Sequence, residues 1–438
     1  MMKIFDLEEA QASILKRGRA QDPEYPHALL EGVQSIFGEA ASPETAVAQI
    51  LSSIRASGQS ALRRWAKLID GFEAETFGVP KERWVDALVA LPPEIRDALN
   101  TAVDRVQAFH EMQPIRSWTT KELGGRLGQR VTPIERVGVY VPGGTAPLPS
   151  SLIMSAVPAR VAGVKEIIVC TPPDPADAIL AAAHLCDVDA LYQIGGAQAI
   201  GAMAYGTEEI AAVDKIVGAG NLFVTLAKQR VYGIVGLDGL AGPTETMVIA
   251  DASANPAWVA ADLLAQAEHD PLASAILLTT DRELAVAVQA EVAARIENLS
   301  RAEIITHSLA DNGGIVITPD LLTAAQVADS YAAEHLCLSV SDPEALAEQI
   351  QHAGGFFIGE HSFEVLGDYV AGPSHIMPTG GSARFASPLN VLDFVKITSI
   401  IALDRGTSRL LSPLAARIAE LEGLTAHAAA ARDRQETS

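Results

Sequence analysis

Between Arg136 and Gly359 the chain alternates short β-rich runs with helical stretches, and this alternation constrains its fold more than any other feature. The first series runs ERVGVYV, a helix around 151–163, EIIVC, a helix around 175–185, DALYQI, a helix around 197–205, VDKIVG, a helix around 222–232, then TMVIAD. A second starts near Ser274 with SAILLTT, a helix around 281–297, GIVIT, a helix around 321–331, HLCLSV, a helix around 343–353, and GFFIG. Such alternation predicts an α/β fold with parallel sheets and crossover helices. At 438 residues the chain exceeds the usual size of one domain, so two α/β units of similar order are expected. Upstream, amphipathic stretches around 43–68 and 92–112 predict helices. Downstream of Ala386, the run SPLNVLDFVKITSIIAL leads to a last helix at 412–423 and a charged tail. That piece is too small for a core of its own and must pack on something else.

Charge and hydropathy narrow the function. With 54 acidic against 32 basic residues the formal charge is -22, which repels nucleic acid and anionic membrane surfaces. No apolar run has the length of a membrane span, and the first twenty residues hold no continuous apolar stretch of a secretion signal, so a cytoplasmic location is expected. Cys170, Cys186 and Cys337 have no C-x-x-C spacing, which predicts plain buried cysteines.

Chemistry-bearing residues fall in two groups. The dinucleotide fingerprint G-x-G-x-x-G is missing, but three strands end in glycine turns: Pro142-Gly143-Gly144, Gly195-Gly196-Ala197-Gln198 and Gly218-Ala219-Gly220-Asn221. Ligands bind open α/β sheets beyond the carboxyl ends of the strands, where glycine admits close backbone approach, so three converging turns point to a cleft. Farther on, Gln266, Glu268 and His269 share a predicted helix, capped by Asn255, started by Pro256 and ended by Asp270-Pro271. Gln266 and His269, at i and i+3, could reach one ion or could be surface residues. With Asp368 and His427, which spacing by itself does not single out, they make a nitrogen and oxygen set suited to zinc, manganese or another divalent ion. An adjacent Glu334-His335 pair opens an apolar run. Neighbours on a strand face opposite sides, so the two serve one site only if the strand is ending or twisted there.

The strings VGVYVPGG, GGAQAI, AGPTE, LLAQAEHD, AAEHL, GDYVAGPSH and EGLTAHAAA, in this order over nearly the whole length, resemble the histidinol dehydrogenase family. The resemblance implies two Rossmann-like units, one inserted in the other, with small helical N- and C-terminal segments in an intertwined homodimer. It places an N-terminal segment at 1–30, a main α/β domain at 31–137 and 246–385, an inserted NAD-binding unit at 138–245, and a segment at 386–438 that packs on the partner. It implies one zinc ion per subunit held by Gln266, His269, Asp368 and His427, the last from the other subunit. Glu334 and His335 match the family's acid/base pair, Tyr140, Gln198 and Asn221 match NAD contacts, and Thr244, His375 and Glu422 match positions near the substrate, which the zinc ligands and His335 also adjoin.

The implied reaction takes L-histidinol through L-histidinal to L-histidine in two NAD-dependent hydride transfers. His335, with an ordinary pKa of about 6.5, is suited to accept the hydroxyl proton, and Glu334 to activate the water that adds to the aldehyde. Departures from the commoner family strings are Ala219 for proline, Thr244 for serine and Asp270 for glycine, and none removes a ligand or an acid/base group. The rivals are a relative that oxidises another small alcohol, such as a sulfonated propanediol, and a metal-binding homologue without activity. Retention of His375 and Glu422 favours histidinol over the first, and the intact Glu334-His335 pair argues against the second.

Overall fold

The computed structural model describes residues 2–17, 25–143 and 147–436. Runs such as Ser274–Thr279 are buried at every position, as strands covered by helices on both faces must be. Six parallel strands form one sheet in the order Ile4–Asp6, Gly314–Ile317, Ser274–Thr279, Glu245–Ala250, His335–Ser339, Gly355–Ile358. Five more form a second parallel sheet in the order Ala190–Gln193, Glu166–Thr171, Arg136–Tyr140, Lys215–Val217, Gly236–Leu237. Leaving the N-terminal strand aside, each sheet runs third, second, first, fourth, fifth in chain order, one pattern used twice. In each, the order reverses between the first and fourth strands, the place at which open α/β sheets generally bind ligands.

Three features differ from the sequence expectation. The described part of the N-terminal segment expected at 1–30 is not separate and helical throughout: Ile4 pairs with Ile315 and Asp6 with Ile317, and Met2 and Phe5 are buried in the core of the six-stranded sheet. The helices at 43–111, expected with that sheet, instead cover the five-stranded one. Pro43–Asp70 packs on Gly196–Tyr205 and Leu222–Val231, Lys81–Ala90 on Asp177–Leu185, and Pro93–Glu111 on Pro149–Ala162. The first of these starts in a capping box between Ser42 and Thr45, with Pro43 at its first position, and stops at Gly71. Third, the C-terminal segment is not purely helical: Val395–Ala402 pairs antiparallel with Arg126–Pro133, which also pairs with Trp118–Thr120.

Beyond that small sheet, helices Arg405–Leu421 and Thr425–Glu436 pack on each other. The first begins seven residues before the expected 412. Its apolar stripe is left open: Leu410 is 71% exposed and Leu421 88%, and Ile401 of the adjoining strand is 74% exposed. Apolar side chains aligned this way on a helix normally meet a core. Among the described residues no helix is long and apolar enough to cross a membrane. The three cysteines are buried and free, and burial pushes their thiols up.

Candidate active site

The Glu334-His335 pair sits where helix Leu321–Tyr331 gives way to strand His335–Ser339. Ala332 caps the helix in the left-handed region (φ 53°), and the chain turns so that Glu334 lies in a bend and His335 is the first strand residue. Glu334 is therefore outside the pleat, and both side chains can face one site. Its Oε2 accepts hydrogen bonds from Thr244 Oγ1 (2.6 Å) and the Glu245 backbone N–H (3.0 Å). His335 Nδ1 lies 3.1 Å from the Glu245 carbonyl, so that nitrogen carries the proton and donates it there. Its Nε2 is buried without a hydrogen-bond partner, 3.6 Å from Asp368 Oδ1. Burial raises the Glu334 pKa. For His335 burial works the other way, but the carboxylates of Glu364, Glu334 and Asp368 outweigh it and push the ring up to about 10.

Close backbone approach holds this bend in place. A Cβ on Gly354 would lie 2.4 Å from the Glu334 carbonyl oxygen. Gly354→Ala is accordingly expected to displace the Glu334 backbone and cost about 1–3 kcal/mol, the range for overpacking, measured as a lowered denaturation midpoint with unchanged m-value.

Helix Pro256–Ala267 is capped as expected, Asn255 Oδ1 accepting from Ala257 N (2.9 Å), but it ends before His269. A last turn, His269 N–H to Gln266 O (3.2 Å), keeps the two neighbours. Asp270 caps the turn before Leu272, its Oδ1 accepting from Leu272 N (2.8 Å). The Gln266 amide is buried, and oriented to satisfy both ends it accepts from Glu245 N (2.8 Å) and donates to Glu364 Oε1 (2.5 Å). It thus faces the Glu245–Glu364 side of the site. His269 and Asp368 come together with His335 and His375. Burial presses the His269 pKa down although its residue surface reaches solvent, with Asp368 opposing. On Asp368 burial pushes up, but His335, His375 and His269 outweigh it and hold the carboxyl low. His375 Nδ1 donates to the Asp368 carbonyl (2.8 Å), and its Nε2 lies 3.3 Å from Ser151 Oγ.

Glu422 and His427 are not brought to this cluster. Glu422 caps helix Arg405–Leu421 and His427 lies on Thr425–Glu436, both exposed on the outlying helical pair. Among the described residues no three His, Cys, Asp or Glu side chains are placed to hold a metal. The site nevertheless fits a cation. Three carboxylates crowd one imidazole whose Nε2 has no hydrogen-bond partner, and His269, pressed towards its neutral form, stands beside the ionised Asp368. The donor set present within the chain is His269 and Asp368, with Gln266 one turn away.

Sequence reasoning missed Glu364. This buried carboxylate accepts from Thr246 Oγ1, and burial raises its pKa to about 7. Its one sequence signal is the i, i+4 spacing to Asp368, which puts both on one face of helix Glu364–Tyr369.

At the order reversal of the five-stranded sheet, the expected cofactor residues gather at the carboxyl ends of strands Arg136–Tyr140 and Lys215–Val217 and on the helix after Ala190–Gln193. Tyr140 Oη accepts from Gly196 N–H (3.1 Å), Gln198 Nε2 donates to Asp70 Oδ2 (2.9 Å), and exposed Asn221 caps helix Leu222–Val231 through Phe223 and Val224 N–H. Gly218 (φ 104°) passes so close to Tyr140 that a Cβ would lie 2.2 Å from its carbonyl oxygen. Gly144 lies outside the described residues. The turn at Gly218 and Ala219 shares one cavity with Ile376, Met377 and Leu389, just beyond His375. The carboxyl ends of the five-stranded sheet thus adjoin the segment that carries His375.

A family model described as histidinol dehydrogenase matches residues 38–435. The histidinol dehydrogenase of Thermus thermophilus is 48% identical, over 97% of this chain and 98% of that one. That of Deinococcus radiodurans is also 48% identical, over 99% and 100%. Among solved structures, a histidinol dehydrogenase from Elizabethkingia anophelis is similar with a TM-score of 0.89 at 32% identity, over 99% of this chain and 98% of that one.

Proposed function

The chain belongs to the histidinol dehydrogenase family, and from that membership we propose that it oxidises L-histidinol to L-histidine through L-histidinal, in two successive NAD-dependent hydride transfers that end histidine biosynthesis. The observation that carries the reading is the pairing of Glu334 and His335 on one backbone residue, Glu245, with Asp368 opposite. His335 takes the hydroxyl proton of the alcohol on Nε2. The hydrogen bond from its Nδ1 to the Glu245 carbonyl keeps one proton on that nitrogen, so Nε2 is the one that accepts once a bound cation offsets the carboxylates that otherwise hold the ring protonated. Glu334, its pKa raised by burial, takes a proton from the water that adds to the aldehyde. Thr244 and the Glu245 amide hold the carboxylate oxygen that stays behind.

His269 and Asp368, joined by Gln266 and by His427 of the partner subunit, would hold a zinc ion, which supplies a template for the amine and imidazole of histidinol and offsets the carboxylate field around His335. NAD, the hydride acceptor, would bind the unit spanning 138–245 at Tyr140, Gln198 and Asn221. Residue His375 lies on the substrate side of Asp368, and Glu422 would reach the substrate from a second copy in a homodimer.

The test is NADH formed per L-histidinol consumed. Two NADH, lost on chelation and restored by zinc, is the expected result. Zinc-loaded, folded protein that forms none from histidinol would move the assignment to another small alcohol.

A further inference from the structure

Glu245 starts one of the two central strands of the six-stranded sheet, and both of its backbone polar groups meet the acid/base pair. The N–H is shared between Glu334 and the Gln266 amide oxygen, and the carbonyl receives His335. Its side chain is held from elsewhere. Arg17 Nη1 and Nη2 donate to its two carboxylate oxygens at 2.6 and 2.7 Å, and Gly380 N–H reaches the first of them at 3.3 Å. The same guanidinium donates from Nε to the Tyr331 carbonyl (2.6 Å) and lies over the Tyr331 ring, 3.7 Å from its centre. Tyr331 is the last residue of the helix that turns into Glu334, and its hydroxyl meets Ser274 Oγ at 2.9 Å on the neighbouring strand.

We infer that Arg17 is a positioning residue for the acid/base pair, clamping Glu245, on which both groups hang, to the helix end from which Glu334 turns. The inference rests on the roles proposed for Glu334 and His335. A planar fork suits this role because it meets a carboxylate through two parallel bonds and still has Nε for a carbonyl and a face for an aromatic ring. A lysine could supply the charge but not the three directions. The pair is also sheltered, with side-chain exposures of 25% and 9%, so solvent screens it less than a surface ion pair. No helix or strand joins Arg17 to the pair in sequence, yet Arg17 grips both the strand and the helix between which the pair sits.

Arg17→Met keeps the stem and removes the fork. In zinc-loaded full-length protein it is expected to lower kcat about a hundredfold, the cost of roughly 1 Å of misplacement at a reacting group. KM for histidinol and NAD should stay within about threefold of wild type, because the groups that bind them are untouched. Arg17→Lys should recover part of the lost kcat. In a crystal structure of Arg17→Met the Glu334 carboxylate should leave Thr244 Oγ1. Wild-type kcat in Arg17→Met overturns the inference, as does a loss carried wholly by KM, or a lowered melting temperature with the Glu334 contacts intact. If the wild type forms no NADH from histidinol, the proposed reaction fails instead, and the position of Glu334 in the variant structure still decides whether Arg17 positions it.

Discussion

Glu334→Gln is expected to slow the aldehyde-to-acid half of the reaction about a thousandfold, within the usual range for loss of a general base and equivalent to about 4 kcal/mol of transition-state stabilisation. The amide has nearly the shape of the carboxylate, so its oxygen can still accept from Thr244 Oγ1 and Glu245 N–H. What it loses is the ability to take a proton from water. The fold should not suffer: burial disfavours the charged form of Glu334, and a neutral side chain escapes that cost, so the melting temperature should equal or exceed that of wild type. Zinc content should be normal, because Glu334 is not among the proposed ligands. Single-turnover kinetics would show aldehyde accumulating after the first NADH. Unchanged turnover to histidine would remove Glu334 from the mechanism.

Mixing two inactive proteins should restore activity. His335→Ala lacks the proton acceptor of its own site, and His427→Ala lacks a ligand that the proposal sends to the neighbouring site. Neither homodimer should turn over. In a heterodimer, the site whose core comes from the His427→Ala chain receives His427 from the other chain and is complete. Random exchange makes half the dimers mixed with one good site each, so activity should recover to about a quarter of wild type, as two-fold symmetry dictates. The structural motive is plain. His427 is exposed on a helical pair with no described contact to the His269–Asp368 cluster, and the stripe of Leu410 and Leu421 has no cover within the described residues. No recovery despite exchange confirmed by mass would place His427 outside a shared site.

Much of the fold was legible because long buried strands and their crossover helices carry strong periodicity. SAILLTT became Ser274–Thr279, and the helix expected at 321–331 is Leu321–Tyr331. What escaped was short or lacked one apolar face. The three-residue strand Ile4–Asp6 gives period 2 nothing to repeat, and helix Ala302–Asp311 has no counterpart in the expected series. In Val395–Ala402 every residue is at least partly exposed, so no buried face betrays the strand. The helices at 43–111 announce themselves by their amphipathic pattern, but nothing in such a pattern says which sheet they will cover.

The candidate site was legible in its residue types and in the family strings, not in its wiring. The Glu334-His335 pair looks sterically awkward as two strand neighbours, and only the left-handed turn at Ala332 places Glu334 ahead of the pleat. Helical spacing makes Gln266 a partner of His269, whereas its buried amide is aimed at Glu245 and Glu364. Glu364 and Arg17 look like ordinary charged residues until the chain folds, because their partners are far away in sequence. Arg17 meets Glu245 across 228 positions.

The pairing of Ile4–Asp6 with Gly314–Ile317 also sets an order of events on the ribosome. All five strands of the sheet begun at Arg136 have emerged by Leu237, with the helices that cover them already made. The first strand of the chain has no partner until residue 317 leaves the exit tunnel. Synthesis at roughly 5–20 residues per second imposes a wait of about 15–60 seconds, during which the N-terminal end stays unpaired while the five strands behind it can already pair with one another.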